Sequence, residues 1–189
     1  MAATLLLARH GETDWNAERR WQGHAETDLN ETGRAQSREL ARTLDGERID
    51  AVYSSDLARA RTTAEIVGDV VGLPVRLDVR LREVDVGEWS GLTWREVEER
   101  FPNGAARRLA GETGWEHGEE FDAMARRVVE ALHDIAARHD GGRVLVVTHG
   151  GPIAAVWLAS GGAFEDRPNV SNCHVQPIRI EDGEIARID

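Results

Sequence analysis

Cysteine is nearly absent from this sequence. The chain contains a single cysteine, Cys173, among 189 residues. One cysteine cannot close an internal disulfide, and it cannot build a metal site made of cysteine ligands. This composition favours a reducing compartment, so we expect a cytoplasmic protein.

Lysine is missing altogether, because all 23 of the Lys and Arg residues are arginines. Without lysine the GxxxxGK loop that binds nucleotide phosphates cannot be formed. The sequence also lacks the HExxH motif of zinc enzymes and the GxSxG motif of serine hydrolases. These absences argue against a P-loop motor or kinase, a zinc enzyme and a serine hydrolase. We expect neither a metal nor a cofactor.

Long apolar runs are missing as well. No stretch approaches the roughly 18 apolar residues of a membrane span, and the apolar start of the chain lacks the charged lead of a signal peptide. The formal net charge of -11 makes the surface as a whole repel polyanions. We therefore expect neither nucleic acid nor a membrane as a partner. The oligomeric state stays open, and a homodimer is one possibility.

Short apolar runs are present and have the pattern of buried strands. Leu5–Ala8 and Val144–Val147 are apolar on both alternating faces, which is typical of central strands in a parallel sheet. Asp50–Tyr53 has a weaker form of the same pattern. Two further strand-like stretches around residues 181–184 predict a closing hairpin.

Helical periodicity fills the intervals between these strands. Apolar residues recur at spacings of three and four within 57–71 and within 121–135. A third helix is predicted over Glu31–Leu44, with Asn30 as its N-cap, and a short one after Pro152. Strands that alternate with helices indicate an α/β fold, a three-layer α/β/α sandwich with a mostly parallel central sheet.

Domain organisation follows from the length and from the lack of linkers. The sequence shows no repeat, low-complexity tract or Pro/Gly/Ser-rich boundary, so we expect one domain over residues 1–189. Residues 101–118 have mixed periodicity, several glycines and Trp115. We interpret this segment as a short lid insertion.

Two of the predicted strands end in the same way, with a histidine followed by glycine. LLLARHG delivers His10 and VLVVTHGG delivers His149. Ligands of open parallel sheets bind at the carboxyl ends of the strands, so both imidazoles are expected at one rim. The glycines that follow let backbone approach a ligand closely. One such histidine alone is most often a packing residue, but two in matched positions indicate a functional site.

Arginines and a carboxylate complete the candidate site. Arg9 precedes the first histidine, and Arg59 lies in the first helical turn after YSSD, where its side chain leans back toward the rim. Two guanidinium groups can neutralise a phosphate dianion. Glu83 follows a predicted short strand and is a candidate general acid for a leaving oxygen. Three other carboxylates remain open for that role: Glu12, Asp85 and Glu88.

Five segments of the chain, in family order from about residue 4 to residue 160, resemble the histidine phosphatase superfamily, also called phosphoglycerate-mutase-like. They are ARHGETDWN, WQGHAETDLNETGRAQ, YSSDLARARTTAEI, LREVDVGEWSGLTW and VLVVTHGGPI. The RHG triplet alone is a weak signal, whereas the five segments together are specific to the family.

This resemblance implies a role for each candidate. His10 would be the nucleophile and would form a phosphohistidine intermediate. Arg9, Arg59 and a protonated His149 would hold the phosphoryl oxygens, while Glu83 would donate and later accept a proton.

The same resemblance implies further phosphate-binding residues. Asn16 matches an asparagine that contacts phosphate in the family, and Gln22 and Gly23 match positions at the mouth of the pocket. Gly150, directly after the second histidine, is expected beside the phosphate.

The sequence also departs from the family pattern. Thr62 stands where glutamine is common, and Gly118-Glu119-Glu120 replaces a Gly-Glu-Ser stretch. The first change is expected to be structural, on a helix. The second would bring an added acid near the substrate, which disfavours strongly anionic substrates. Tryptophans near the lid are candidates either for a binding mouth or for packing: Trp15, Trp21, Trp89, Trp94 and Trp115.

These observations predict a phosphomonoesterase that hydrolyses a small phosphorylated metabolite. The main competing hypothesis is a cofactor-dependent phosphoglycerate mutase, but the short lid favours hydrolysis because it leaves the intermediate open to water. Two less favoured hypotheses are an inactive module that binds a phosphorylated ligand and a phosphatase that acts on protein phosphohistidine.

Overall fold

The structure, a computed structural model, describes residues 2–163 and 170–188. Within these ranges six strands form one sheet: β1 (Ala2–Arg9), β2 (Ala51–Ser54), β3 (Val75–Leu77), β4 (Arg143–Thr148), β5 (Val175–Glu181) and β6 (Glu184–Arg187). Their order is β3-β2-β4-β1-β5-β6. The pairs among β3, β2, β4 and β1 are parallel, whereas β5 pairs antiparallel with both β1 and β6. The predicted, mostly parallel sheet is confirmed.

Helices connect the parallel strands. They are α1 (Asp14–Ala17), α2 (Glu31–Leu44), α3 (Ala58–Val71), α4 (Trp94–Arg100), α5 (Pro102–Leu109), α6 (Phe121–Arg138) and α7 (Gly150–Ala159). Short 3-10 turns occupy Val79–Leu81 and Gly87–Trp89. Of the helices in the described ranges, none combines the length and the apolar character needed to cross a membrane.

The two faces of β1 show why the sheet is covered on both sides. Leu5 and Leu7 belong to the apolar cluster that includes α6 and α7, whereas Leu6 and Ala8 belong to the cluster that includes α2 and α3. All four side chains are at most 3% exposed. A strand that is apolar at consecutive positions therefore forms the middle of three layers, which confirms the predicted α/β/α sandwich.

Local signals set most of the element boundaries. The side chain of Asn30 accepts a hydrogen bond from the Gly33 amide and caps α2, as predicted. The short helix predicted after Pro152 begins earlier, at Gly150. Proline lacks an amide hydrogen, but amides in the first helical turn have no partner within the helix, so the helix accommodates this residue. The predicted hairpin is confirmed, with its turn at Asp182 and Gly183.

Residues 101–118 form a packed segment that contains α5. Trp115 is 6% exposed, and its ring lies 5.5 Å from that of Trp89 and 6.0 Å from that of Trp21. This aromatic cluster attaches the segment to the rest of the fold. The periodicity is mixed because this short helix buries Gly104 and Ala105 but exposes Leu109, while the main buried side chain, Trp115, lies in the following loop.

Candidate active site

A cavity of about 420 Å3 lies at the carboxyl ends of β1 and β4. All but one of the residues predicted for the site line it: Arg9, His10, Asn16, Gln22, Gly23, Arg59, Glu83 and Gly150. The exception, His149, is fully buried next to the cavity, with its ring centroid 5.2 Å from that of His10. The structure thus brings the predicted residues together.

His10 follows β1 and is 3% exposed. Its Nδ1 lies 2.7 Å from the carbonyl oxygen of Gly11 and donates a hydrogen bond to it, which leaves a lone pair on Nε2. Burial, and then the positive charges of Arg59 and Arg9, hold the pKa of His10 well below its usual value. The imidazole is therefore neutral at neutral pH, the state that a nitrogen nucleophile requires.

His149 follows β4 and is fully buried. Its Nε2 lies 2.9 Å from Oγ of Ser55, and its Nδ1 has no hydrogen-bond partner among the described residues. Burial is the first cause that holds the pKa of this imidazole well below its usual value, followed by the charge of Arg59. Protonation of His149 was predicted for a site that holds a phosphoryl group, and it stays a prediction. A further positive charge beside buried guanidinium groups is unfavourable.

Arg59 extends from the first turn of α3 and is 1% exposed. Its Nη2 donates to the carbonyl of Gly23 and its Nη1 to that of Ala25, both at 2.8 Å. Burial lowers the pKa of Arg59 to about 10, so the group remains a cation at neutral pH. Gly23 lies at φ +51° against Val86, a position that suits glycine and that no side chain could occupy without a clash.

Arg9 supplies the second guanidinium group. Its Nη1 donates to the carbonyl of Val170 at 2.7 Å. The Nε atoms of both Arg9 and Arg59 are buried, and neither has a hydrogen-bond partner among the described residues. Buried cationic donors without partners are unfavourable unless a ligand satisfies them, so the pair indicates a site for an anion.

Glu83 follows the 3-10 turn at Val79–Leu81 and not a strand as predicted, because β3 already ends at Leu77. Its Oε1 accepts from the Val84 amide at 2.9 Å, and its Oε2 accepts from the Gly151 amide at 3.2 Å. A Cβ at residue 151 would lie 2.2 Å from Oε1, so glycine is needed there. These contacts place the carboxylate beside the N-terminus of α7.

The choice among the four candidate carboxylates is decided by position. Glu83 is the only acidic residue among the described residues that line the cavity. Glu12 instead accepts from the side chain of Asn30, and Asp85 accepts from the Gly87 amide. Glu88 lies near the exposed His117. Of the four candidates, Glu83 alone is placed to donate a proton to a ligand in the cavity.

Asn16 and Gln22 present amide nitrogens to the cavity. Oδ1 of Asn16 accepts from the Thr13 amide at 3.1 Å within the cap of α1. Oε1 of Gln22 accepts from the hydroxyl of Thr27 at 2.6 Å and from that of Thr13 at 3.1 Å. These bonds occupy the amide oxygens. The NH2 groups are left as donors for an anion.

Several residues that contribute to the site were not found by the sequence analysis. Ser55 contacts His149, the amide of Asn172 donates to the carbonyl of His10 at 2.9 Å, and the hydroxyl of Thr63 accepts from the Gly11 amide at 3.0 Å. Three further arginines line the cavity: Arg19, Arg20 and Arg108. Ser55 and Thr63 lie within the YSSDLARARTTAEI segment, so the family motif was the signal that could have found them. Nothing in the sequence distinguishes the three cavity arginines from the others.

The expected acid near the substrate is not there. Glu119 does not line the cavity, and its carboxylate pairs with Arg127 at 2.6 Å. Glu120 is also absent from the lining, and its side chain accepts from the hydroxyl of Thr113. Of the tryptophans near the lid, Trp21 and Trp115 line the cavity, whereas Trp89 is a core residue at 1% exposure.

Metal ligands do not converge on the cavity. Within the described ranges one group of side chains, Glu88, Glu116 and His117, brings three ligand atoms within 4.8 Å of one another. All three residues are exposed, and none lines the cavity. The positive charge that faces a ligand in the cavity is therefore supplied by arginine.

Comparisons with known proteins confirm the resemblance. The chain matches the family model of the histidine phosphatase superfamily (branch 1) over residues 5–187. It is 43% identical over 159 residues to the metal-independent phosphoserine phosphatase of Arabidopsis thaliana, covering 82% of this chain and 67% of the relative. It is 37% identical over 187 residues to phosphoglycerate mutase-like protein 4 of the same plant, covering 96% and 81%.

A solved structure extends the likeness to three dimensions. The mycobacterial glucosyl-3-phosphoglycerate phosphatase Rv2419c in complex with VO3 superposes with a TM-score of 0.84 at 31% identity, covering 98% of this chain and 95% of the other. A family match over nearly the whole chain and relatives named as phosphatases lead to one conclusion. The protein belongs to branch 1 of the histidine phosphatase superfamily, and it is a phosphomonoesterase.

Proposed function

We propose that this phosphatase hydrolyses a small phosphorylated metabolite through a phosphohistidine intermediate on His10. The observation that carries the proposal is a neutral, buried imidazole beside two guanidinium groups whose Nε atoms have no partner in the part of the chain that the structure describes. The Nδ1 bond to Gly11 leaves Nε2 as the nucleophile. Arg9 and Arg59 stabilise the charge on the equatorial oxygens in the transition state.

The reaction then has two steps. Nε2 of His10 forms a bond to phosphorus while the ester P–O bond breaks, and Glu83 donates a proton to the departing alcohol. In the second step Glu83 accepts a proton from a water molecule whose oxygen bonds to phosphorus, the P–Nε2 bond of the phosphohistidine breaks, and inorganic phosphate leaves. A phosphate dianion favours the protonated form of His149, so its partnerless Nδ1 becomes a donor to a phosphoryl oxygen.

The charged side chains at the cavity mouth indicate which group the substrate carries besides its phosphate. Arg20 is paired with Glu18 at 2.6 Å and with Glu96 at 2.8 Å. Arg19 is exposed, lines the cavity and forms no ion pair with any residue in the described ranges. Arginines outnumber acidic residues among the described residues that line the cavity, so the lining suits a second anionic group.

We propose that this second group is a carboxylate. The relatives named above act, by their names, on phosphoserine and on glucosyl-3-phosphoglycerate, and both esters carry one. A cavity of about 420 Å3 accommodates a metabolite of that size. A panel of phosphate esters can identify the alcohol portion of the substrate.

The panel scores released phosphate from phosphoserine, from 3-phosphoglycerate and from O-phosphoethanolamine, which is phosphoserine without its carboxylate. We expect the carboxylate esters to have the higher kcat/KM. Supplying 3-phosphoglycerate together with a trace of 2,3-bisphosphoglycerate should give inorganic phosphate. Rapid formation of 2-phosphoglycerate would instead show a mutase and overturn the proposal.

The variant Arg19→Gln tests the carboxylate within the same panel. We expect KM for phosphoserine to rise about 2- to 5-fold, since an ion pair at a solvated mouth contributes modestly, while KM for O-phosphoethanolamine is unaffected. Arg38→Gln makes the same charge change at an exposed position outside the cavity and serves as the control. An equal effect of both variants on both substrates would contradict the assignment.

Metal removal should leave the activity intact. Arg9 and Arg59 supply the positive charge at the phosphoryl group, so we expect dialysis against EDTA to change kcat/KM by less than about twofold. The measurement is phosphate release before and after chelation. Loss of activity that returns when a divalent cation is added back would reveal a metal requirement.

We further propose that residues 1–189 act as one domain with residues 101–118 as the lid. Arg108 and Trp115 of this segment line the cavity, which supports the role. We also propose a cytoplasmic protein with neither nucleic acid nor a membrane as a partner. The single cysteine and the net charge of -11 support this view.

A further inference from the structure

Arg127, on α6, uses every one of its N–H donors inside the protein. Its Nε and Nη2 bind the carboxylate of Glu119 at 2.7 and 2.6 Å. Nη1 donates to the carbonyl oxygens of Arg80 and Arg82, both at 2.7 Å, and Nη2 also donates to that of Glu83 at 2.8 Å. A guanidinium group has five N–H donors, so these five bonds satisfy it completely.

The segment that Arg127 holds has no regular structure of its own. Residues 82–86 lie between two 3-10 turns and belong to no helix or strand. The carbonyl of Glu83 also accepts from Nε2 of His24 at 2.8 Å. The Glu119 amide donates to the carbonyl of Asp85 at 2.8 Å. Side chains from other parts of the fold therefore fix the path of this segment.

Glu119 links residues 82–86 to the lid segment. Nε1 of Trp115 donates to the carbonyl of Glu119 at 3.0 Å, and the ring of Trp115 lines the cavity. Neither Arg127 nor Glu119 itself lines the cavity. Any influence that they have on catalysis must therefore act through the residues that they hold.

We propose that Arg127 and Glu119 are positioning residues for the general acid. They hold backbone carbonyls before and after Glu83 in the chain. These contacts keep the Glu83 carboxylate beside the Gly151 amide and within reach of the leaving oxygen. The inference rests on the proposed role of Glu83. A displacement of about 1 Å at a reacting group is enough to cost a large part of its catalytic effect.

Leaving-group dependence separates positioning of the acid from general damage to the fold. An alkyl phosphate such as phosphoserine releases a poor leaving group that needs a proton, whereas 2,4-dinitrophenyl phosphate releases a good one that does not. For Arg127→Gln we expect kcat/KM to fall roughly 10- to 100-fold on phosphoserine and less than about threefold on the aryl ester. A merely structural role lowers the active fraction equally for both.

Matched variants make each outcome informative. Arg126→Gln changes the exposed neighbour on the same helix and should leave both rates unchanged. Arg127→Lys keeps the charge but not the fork of donors, so it should recover only part of the phosphoserine rate. Glu119→Gln is the milder variant if Arg127→Gln folds poorly, and we expect the same selective loss.

Different results would overturn the general-acid role of Glu83 and the positioning role of Arg127 and Glu119. For Glu83→Gln we expect kcat/KM to fall on phosphoserine but not on the aryl ester, because kcat/KM reports formation of the phosphohistidine and not its hydrolysis, in which Glu83 serves both substrates. The absence of that selectivity in kcat/KM would overturn the role of Glu83 itself. If Glu83→Gln shows the selectivity, but Arg127→Gln and Glu119→Gln reduce both substrates equally or not at all, only the positioning role is overturned.

Discussion

Replacing His10 by alanine should abolish turnover, with a loss of roughly 10,000-fold or more in kcat, because the nucleophile is removed. No other imidazole in the described ranges lines the cavity. His149, 5.2 Å away between ring centroids, is fully buried and has its Nε2 at the hydroxyl of Ser55. It is therefore not placed to replace the missing nitrogen.

Covalent labelling provides the measurement. Wild-type protein quenched during turnover of a radiolabelled ester should carry acid-labile, alkali-stable phosphate, and His10→Ala should carry none. His117→Asn, at an exposed position outside the cavity, is the control and should label like wild type. Labelling retained in His10→Ala would identify a different nucleophile and refute the proposed mechanism.

Replacing Arg59 by methionine should lower kcat/KM about 1,000-fold. A buried, preorganised cation at the transferring phosphoryl group contributes on that scale. Methionine keeps much of the apolar stem, but it leaves the carbonyls of Gly23 and Ala25 without their guanidinium donors. Because burial is the largest effect that disfavours the charged form of Arg59, removing the buried cation offsets part of this cost.

Stabilisation by phosphate distinguishes a lost anion site from a damaged fold. Inorganic phosphate binds the folded state, so at 100 times its Kd it should stabilise the wild type by about 2.7 kcal/mol and raise Tm. In Arg59→Met this phosphate-dependent rise should largely disappear even where the protein without phosphate remains folded. Arg61→Met, on an exposed face of the same helix, should respond like wild type. A full phosphate response in Arg59→Met would show that the anion binds elsewhere.

Regular elements were predictable because their signals are local. The apolar runs at Leu5–Ala8 and Val144–Val147 became the adjacent central strands β1 and β4. The helix predicted over about residues 31–44, with Asn30 as its N-cap, is confirmed as α2. Where a local rule was applied too strictly the boundary was wrong, as at Pro152, which lies inside the first turn of α7.

Irregular segments were predicted less well. Glu83 was expected after a strand, but it lies in a segment that is held by Arg127 and His24. Those contacts span 44 and 59 residues of sequence, and no periodicity encodes them. The same applies to residues 101–118, where burial against Trp21 and Trp89 organises a segment whose sequence pattern is mixed.

The sequence by itself determined the sheet, the two histidines at its rim and the family. It could do so because strand termini and motif spacing are properties of neighbouring residues. Only the tertiary structure decided which carboxylate reaches the cavity, that Arg127 neutralises Glu119, and that burial lowers the pKa of His149. Each of these depends on burial or on charges brought together from distant parts of the chain, because desolvation and Coulomb energy are set by distance in space.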